Sequence, residues 1–276
     1  METTAQSMEA MARLGLFFGL FLLFALVEWR FPRRQLTIPK ASRWFGNLTL
    51  TIFNTLLVRV LFVLLSATAV GLAAVTEQAG HGLLNWTGLP FWAKALLGFL
   101  IMDLAIYGQH VLFHKVPVFW QIHAMHHADE DIDVSTGLRF HPFEIMLSVV
   151  IKCAVIVLAG VPAMAVLVFE IVLNATSMFN HANMALPTGL DRIVRLIVVT
   201  PDMHRVHHSV NAHEHNSNFG FNLPWWDRLF GTYQAQPEAG HDGMTIGLTE
   251  FRGVRWRTIA GLMTLPFSQP DAEERP

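Results

Sequence analysis

The chain has almost no cysteine. Its 276 residues include a single one, Cys153, which lies in an apolar stretch. One thiol cannot form an internal disulfide, and it cannot supply the several thiolates that a cysteine-rich zinc site or an iron–sulfur cluster requires. Any metal ion bound by this chain must therefore be held by nitrogen or oxygen ligands.

Charged residues are also scarce, at 14% of the chain against the roughly 25% that is usual for soluble domains. Hydrophobic residues make up 53%, which predicts a membrane protein. The formal net charge is −2 and the basic residues form no long run, so the chain lacks the positive surface that nucleic-acid binding needs. We therefore expect no nucleic-acid partner.

Apolar segments long enough to cross a bilayer, which takes about 20 helical residues, fill much of the first two thirds of the chain. Residues 14–27 with their flanks, 48–75 and 91–113 each fit one span. Residues 145–179 are too many for one span, and a Gly-Val-Pro sequence interrupts them near the middle, which is a helix-stop signal. We therefore predict a hairpin of two short helices there, and four to five membrane-embedded helices in an all-α fold.

The basic residues around the spans predict the orientation, because cytoplasmic loops carry an excess of lysine and arginine. Five basic residues lie between positions 30 and 43, whereas residues 76–90 include none. The third span then ends in the cytoplasm, and the hairpin keeps the residues on both sides of it in that compartment. The chain is expected to be a multi-pass membrane protein, in the inner membrane if it is bacterial, with its active site facing the cytoplasm.

Histidine is the residue in excess. Twelve of the fourteen histidines lie between positions 110 and 215. Residues three and four apart share one face of a helix, and facing helices that carry such groups can bind two metal ions. Each cluster can thus direct its imidazoles to one point, and together they offer more nitrogen atoms than one ion can use. The clusters are His110 with His114, His123 with His126 and His127, and His204 with His207 and His208.

The number of nitrogen ligands restricts the choice of metal. A structural zinc ion takes four ligands and a catalytic zinc ion three and a water, so this set is too rich for one zinc ion and favours two ions of higher coordination number. We expect two iron ions with open positions for dioxygen. Zinc can take their place, because it binds such ligands more strongly than ferrous iron does.

The order of these motifs resembles the fatty acid hydroxylase and sterol desaturase superfamily of membrane di-iron oxidases. The resemblance implies that His181 joins the eight clustered histidines as a metal ligand. The family usually has tyrosine at the place of Phe219, and some relatives have a further histidine at the place of Ala185. The matching residues are, in order, Asp103-x-x-x-Tyr107-x-x-His110-x-x-x-His114, His123-x-x-His126-His127, Arg139-Phe140-His141-Pro142-Phe143-Glu144, His181, His204-x-x-His207-His208, Asn218-Phe219-Gly220 and Trp226-Asp227-Arg228-Leu229-Phe230-Gly231-Thr232-Tyr233.

The resemblance also implies an activity. It is that of an enzyme that uses dioxygen to hydroxylate or desaturate a lipid-like substrate, such as a fatty acyl chain or a sterol. The protein would hold the metal ions in a helical cytoplasmic cap, exclude water and guide the lipid to the site. Residues 1–100 would form N-terminal transmembrane helices, 101–235 the histidine-cluster region with its membrane hairpin at 145–180, and 236–276 a C-terminal tail.

Electrons for this activity would have to come from outside the chain. The sequence has no Gly-x-Gly-x-x-Gly motif for a dinucleotide and no cysteine set for an iron–sulfur cluster. A ferredoxin, or a b-type cytochrome with its reductase, is the expected electron donor. A positive surface could attract an acidic carrier, although ordinary positive-inside bias explains the same residues equally well. These residues are Arg205, Arg228, Arg252, Arg255 and Arg257.

Asp103, Tyr107 and Asp227 are the candidate catalytic residues beside the ligands. Asp103 and Tyr107 lie seven and three residues before His110, on the same helix face. A carboxylate within the membrane usually has a partner, so Asp103 either orients a ligand imidazole or makes a helix–helix hydrogen bond. Asp227 either does likewise near the last cluster, or caps a helix or pairs with Arg228.

The remaining histidines carry weaker predictions. His141 is a candidate ligand, but it precedes a proline and the question stays open. His213 and His215 lie in a polar stretch and are expected to be solvated, as are the loop residues His81 and His241.

Two other classes of function stay open. A metal-dependent lipid hydrolase would need a carboxylate base within the ligand motif, as in His-Glu-x-x-His, and the clusters contain none. A haem-binding electron-transfer membrane protein would place axial histidines on opposite helices, and adjacent His-His pairs suit that arrangement poorly. An absorption spectrum with a Soret band would identify it.

Overall fold

Helices form nearly all of the regular structure in the computed structural model, which describes residues 2–64 and 68–268, with side chains from residue 11. Within these ranges the only β-type pairings are two isolated bridges. The α-helices are α1 (Glu2–Arg30), α2 (Lys40–Leu64), α3 (Ala69–Gln78), α4 (Phe91–Lys115), α5 (Pro117–His127), α6 (Pro142–Ala159), α7 (Ala163–His181), α8 (Thr188–Val194), α9 (Pro201–His207), α10 (Ala212–His215), α11 (Trp225–Phe230), α12 (Gly240–Gly243) and α13 (Ile259–Thr264).

Five helical segments are long and apolar enough to cross a membrane, so the chain is a multi-pass membrane protein. The second of them runs across residues 65–67, which lie outside the described part of the chain. The prediction of an all-α membrane protein with about four to five embedded helices is confirmed. The segments are Met11–Arg30, Lys40–Gln78, Phe91–Lys115, Pro142–Ala159 and Ala163–His181.

The hairpin of α6 and α7 turns at Gly160. This residue ends α6 with a φ of +66°, in the left-handed region that glycine occupies without a steric penalty. The tip of the hairpin packs against the loop before α4, since the backbone amide of Leu84 donates to the carbonyl of Ala159 over 2.8 Å. A Cβ on Gly82 would lie 2.2 Å from the nitrogen of Gly160. Both ends of the hairpin are therefore at the same end of the bundle as the last turn of α4.

At that end of the bundle, a buried arginine organises the loop that follows α5. The Arg43 guanidinium donates to both carboxylate oxygens of Asp129 over 2.7 Å, to Asp133 over 2.5 Å and to the Thr136 hydroxyl over 2.9 Å. Burying a charge is costly unless it is paired and hydrogen-bonded, and these contacts meet that condition. They tie α2 to the loop directly after the histidines of α5.

Residues 237–268 form part of the cap. Trp256 is buried against the apolar side chains of α2 and α5, together with Leu262 and Leu265. Arg139, which is also buried, donates to the carbonyl of Met125 on α5 over 2.8 Å. The segment assigned to a C-terminal tail thus covers α5 as far as residue 268, where the described part of the chain ends.

Candidate metal centre

The structure brings the nine predicted ligands together at one end of the helix bundle, in two groups. Within each group, one nitrogen from every ring lies within 4.8 Å of one nitrogen from every other ring. All nine rings are buried except that of His114, which is nearly so. The first group is His110, His114, His123, His127 and His207, and the second is His126, His181, His204 and His208.

The prediction that each cluster directs its imidazoles to one point is confirmed for His110 with His114 and was wrong for the other two clusters, which are divided between the two groups. On α5, His123 and His127 belong to the first group and His126 to the second. Residues four apart on a helix differ by about 40° in direction, whereas neighbours differ by about 100°, so His126 faces away from His127. The α9 region divides in the same way, with His204 and His208 in one group and His207 in the other.

Backbone carbonyls fix the tautomer of four of the rings. The Nδ1 atoms of His110 and His207 lie 2.8 and 2.7 Å from the carbonyl oxygens of Phe219 and Ser217. A carbonyl oxygen only accepts, so Nδ1 carries the proton and Nε2 of the neutral ring carries a lone pair. The same holds for the Nδ1 atoms of His126 and His181, which donate to the carbonyls of Arg139 and Ser177.

The Nε2 atoms of these four rings lie close to one another and to those of two further histidines. The Nε2 of His110 lies 3.2 Å from that of His123 and 3.0 Å from that of His207. In the other group, the Nε2 of His181 lies 3.1 Å from that of His126 and 3.0 Å from that of His204. In two of these contacts, His110 with His207 and His126 with His181, main-chain carbonyls fix both tautomers, so two lone pairs face each other. Two acceptors at this distance repel each other unless a cation lies between them, and nitrogens that share an ion at about 2.1 Å lie about 3 Å apart.

Three other rings, those of His114, His127 and His208, have no hydrogen-bond partner for either nitrogen among the described residues. A buried polar atom without a partner costs free energy, and a metal ion would satisfy one nitrogen of each ring. Buried, neutral imidazoles converging on two points are a donor set that fits two transition-metal ions of the borderline kind.

The pKa values of the rings outside the membrane spans agree with this assignment. Burial lowers the pKa of His123 to about 3. Burial, with the neighbouring imidazoles, holds the pKa of each of the other five well below its ordinary value of about 6.5. These rings are therefore neutral at physiological pH and free to bind a cation; they are His126, His127, His204, His207 and His208.

Glu144 is a functional residue that the sequence reasoning missed. Its Oε1 accepts a hydrogen bond of 2.8 Å from the Nδ1 of His123, and its side chain is buried. A carboxylate behind a ligand histidine fixes the ring and makes it a stronger donor to the metal. The signal in the sequence was the position of Glu144 within the family motif that begins at Arg139.

We expect Glu144→Gln to weaken metal binding by roughly 10-fold and Glu144→Ala by up to about 100-fold, the range usual for a partner of a ligand histidine. Glutamine can still accept the hydrogen bond from His123, whereas alanine leaves Nδ1 unpaired. The measurement is metal retention against a graded chelator. Glu77→Gln, an exposed residue on the far side of the bundle, is the matched control, and equal retention in all variants would contradict the assignment.

A chain of hydrogen bonds connects Tyr107 and Asp227 to His110. Tyr107 donates to the Thr232 hydroxyl over 3.0 Å, because the single hydroxyl proton of Thr232 goes to Asp227 over 2.7 Å. Asp227 in turn accepts from the backbone amide of Phe219 over 2.7 Å, and the carbonyl of Phe219 accepts from His110. Burial raises the pKa of Asp227 to about 6 against the effect of these hydrogen bonds.

Asp103 makes a hydrogen bond between two helices. Its Oδ2 accepts a hydrogen bond of 2.8 Å from the indole of Trp226, so it joins α4 to α11 and has no imidazole among its recorded hydrogen-bond partners. Of the two interpretations of this buried carboxylate, the structure thus shows the contact between helices. Trp226 lies next to Asp227, so Asp103 contacts the same helix, α11, whose Asp227 accepts from the amides of Phe219 and Gly220.

The remaining predictions about histidines have mixed outcomes. His141 caps the start of α6, accepting from the amide of Phe143, and it belongs to neither group. His213 is exposed, as expected. His215 is half-buried and stacks on Trp120 with ring centroids 5.5 Å apart. His241 is buried beside Asp202, so the expectation that the last two are solvated was wrong.

The positive surface predicted for an electron carrier is much reduced in the structure. Arg205 is fully buried and pairs with Asp202. Arg252 and Arg257 both pair with Glu130, because the loop after α5 packs against the C-terminal segment. Of the five arginines, Arg228 and Arg255 are exposed.

A polar cavity of about 320 Å³ lies between the first histidine group and the cap. Its walls include His114, Trp120, His215 and Glu250. Thr249, at its edge, is exposed. Of the nine histidines, His114 can thus be approached from the cap side through this cavity.

Comparison with known proteins places this centre in a family. The model of the family described as fatty acid hydroxylase matches residues 95–232. The ornithine lipid hydroxylase OlsE of Rhizobium tropici is 31% identical over 67% of this chain and 54% of its own length. Human alkylglycerol monooxygenase is 30% identical over 62% of this chain and 37% of its own length. Rat cholesterol 25-hydroxylase is 24% identical over 53% and 49%.

The chain spans about half, or less, of the length of these curated relatives. No solved structure matches it significantly. The family match covers half of the 276 residues and contains all nine histidines of the two groups. The chain therefore belongs to the fatty acid hydroxylase family.

Proposed function

We propose that this protein is a membrane-bound oxygenase that uses dioxygen to hydroxylate an apolar lipid. The observation that carries the proposal is the pair of buried, neutral histidine groups at the end of a bundle of membrane-spanning helices. The names of the relatives favour hydroxylation over desaturation, because they are a hydroxylase of ornithine lipids, a monooxygenase of alkylglycerols and a hydroxylase of cholesterol.

We further propose that the nine histidines hold two iron ions, one in each group. The chemistry that a bound pair of iron ions supplies is the reductive activation of dioxygen for attack on a C–H bond. The side chains of the protein hold this centre in place. Glu144 and the carbonyls behind the rings fix the direction of the imidazoles, and the fully buried ring of Phe219, which contacts His110, His114 and His207, keeps water away from them.

The substrate is a lipid whose oxidised carbon reaches the histidines from the membrane. Lipid extracts of cells with and without the gene should differ in a species heavier by one oxygen atom. The same comparison with a His204→Ala variant separates oxidation by this site from other effects of the gene. Identical extracts from all three strains, with the protein present in the membrane and loaded with iron, would refute the proposed activity.

We propose that the histidine end of the bundle faces the cytoplasm, as the basic residues between positions 30 and 43 indicate. Single cysteines at Gln121 and Arg192, both exposed, should then be protected from a membrane-impermeant thiol reagent in intact cells. A cysteine at Thr87, exposed at the other end, should react. The single cysteines are introduced into a Cys153→Ala variant, which has no other thiol. Labelling at position 121 but not at position 192 would contradict the hairpin.

We also propose an external electron donor, a ferredoxin or a b-type cytochrome with its reductase. Converting R–H and O₂ into R–OH and H₂O consumes two electrons and two protons, and the chain contains no dinucleotide motif that would take electrons from NADH. Iron-loaded protein in lipid vesicles should turn over many times only when a carrier and its reductase are added. Sustained turnover with NADH alone, in a preparation free of any reductase, would contradict this.

A further inference from the structure

Phe221 is the one non-histidine aromatic residue, among those the structure describes, whose ring contacts both histidine groups. Its ring centroid lies 6.3 Å from that of His110 in the first group. It lies 6.4 and 6.3 Å from those of His181 and His204 in the second. Other rings near the histidines, such as Trp120 and Phe140, contact members of one group alone.

The backbone around Phe221 is held from two sides, so its ring has a defined position. The side-chain amide of Asn180 on α7 donates to the carbonyl of Phe221 over 3.0 Å, and the Thr176 hydroxyl donates to the side-chain carbonyl of Asn222. On the other side, Asp227 accepts from the amide of Gly220 over 2.8 Å. The short segment before and after Phe221 is therefore fixed to α7 and to α11.

The ring of Phe221 also belongs to the membrane-facing side of the centre. It is half-buried and packs against the apolar cluster formed by α3, α4, α6 and α7, which includes Ile106 and Phe169. The approach on the cap side is the polar cavity beside His114 and Glu250. A lipid that left the bilayer for the polar cavity would expose its hydrocarbon chain to water, which costs about 0.8 kcal/mol for each CH₂ group. A lipid is therefore expected to arrive along the apolar side.

We propose that Phe221 determines which carbon of the lipid is oxidised, because its ring stands where an apolar chain coming from the membrane reaches both histidine groups. The inference rests on the proposed function. The ring occupies space next to His110 and His204, so its size limits how far a chain can advance. A smaller residue at this position admits a longer or bulkier segment.

Photo-crosslinking tests the route without requiring activity. The benzophenone amino acid p-benzoylphenylalanine is placed at Phe221, and for comparison at Thr249, which lies at the exposed edge of the polar cavity. Irradiation in vesicles made from the lipids of the host should give a mass adduct of a lipid chain at position 221 and none at 249. Absence of an adduct at 221, or equal adducts at both positions, would overturn the proposal.

Substitution of Phe221 tests whether this residue determines which carbon of the lipid is oxidised. Phe221→Ala and Phe221→Leu should retain metal, because the ring is not a ligand, and should change the ratio of oxidised products by roughly 10-fold, the effect of one methylene group in an apolar pocket. Phe45→Ala, an exposed residue of α2, should leave the ratio unchanged. An unchanged ratio in iron-loaded Phe221→Ala would overturn the proposal. If a lipid adduct forms at 221 but the wild-type protein oxidises nothing, the proposed function fails while the lipid route stands.

Discussion

Replacing His127 by alanine should abolish lipid oxidation and release metal from the protein. Among the described residues neither nitrogen of this ring has a hydrogen-bond partner, and the ring is fully buried, so binding a metal ion is the role that accounts for its position. Loss of a ligand should cost more than the 10- to 100-fold that is usual for removing a residue behind a ligand. The measurements are metal content per chain and the yield of oxygenated lipid.

The control for this experiment is His81→Ala. His81 is exposed in the loop at the opposite end of the bundle, so this variant should keep both metal and activity. His241 is unsuitable as a control, because it is buried beside Asp202. Full metal content and normal turnover in His127→Ala would show that His127 is not a metal ligand. The division of the histidines into groups of five and four would then be wrong.

Replacing Arg43 by alanine should destabilise the protein by about 3–5 kcal/mol, the usual effect of removing one partner of a buried ion pair. The variant leaves the carboxylates of Asp129 and Asp133 buried without their main cation. For a chain of this size the loss corresponds to a decrease in Tm of about 10 °C. Thermal unfolding in detergent, followed by tryptophan fluorescence, measures it.

The same network predicts a dependence on pH. Burial raises the pKa of Asp129, but Arg43 and Arg139 outweigh that effect and hold it at about 2. Since the pKa is lower than in the unfolded chain, where it is about 4, the pair stabilises the fold above about pH 4 and its contribution is lost as the pH falls towards 2. The control for Arg43→Ala is Arg30→Ala, because Arg30 is an exposed residue on the same side of the bundle. Arg30→Ala should change Tm little, and a similar decrease in Tm in both arginine variants would contradict the role of the network.

The histidines could be predicted from the sequence because their signal is local. Spacings of three and four residues on a helix are visible in the chain itself, and a Gly-Val-Pro interruption predicts a hairpin without knowledge of the fold. His181 stands alone in the sequence, and only its place in the family pattern identified it. The division of the rings into two groups depends on how α4, α5, α7 and α9 are oriented in space, which spacing alone does not determine.

The errors of prediction share a physical cause. Arg205 and His241 were treated as surface or loop residues, although both are buried where α12 packs against α9. Glu144 lies 21 positions after His123 in the sequence, and it meets that ring only because α6 folds back beside α5. Each of these features depends on a contact between residues that are more than 20 positions apart. A pattern in the local sequence therefore cannot predict it.

The hydrogen-bond acceptors behind the ligand rings have a consequence for the tolerance of this centre to mutation. Four of the five recorded acceptors at Nδ1 are main-chain carbonyls, and the fifth is the side chain of Glu144. A substitution at Phe219, Ser217, Arg139 or Ser177 cannot delete a carbonyl. In a saturation-mutagenesis library, most substitutions of Glu144 should therefore abolish activity. At Ser217 and Ser177, substitutions should be tolerated as long as the new side chain fits and the backbone conformation is kept.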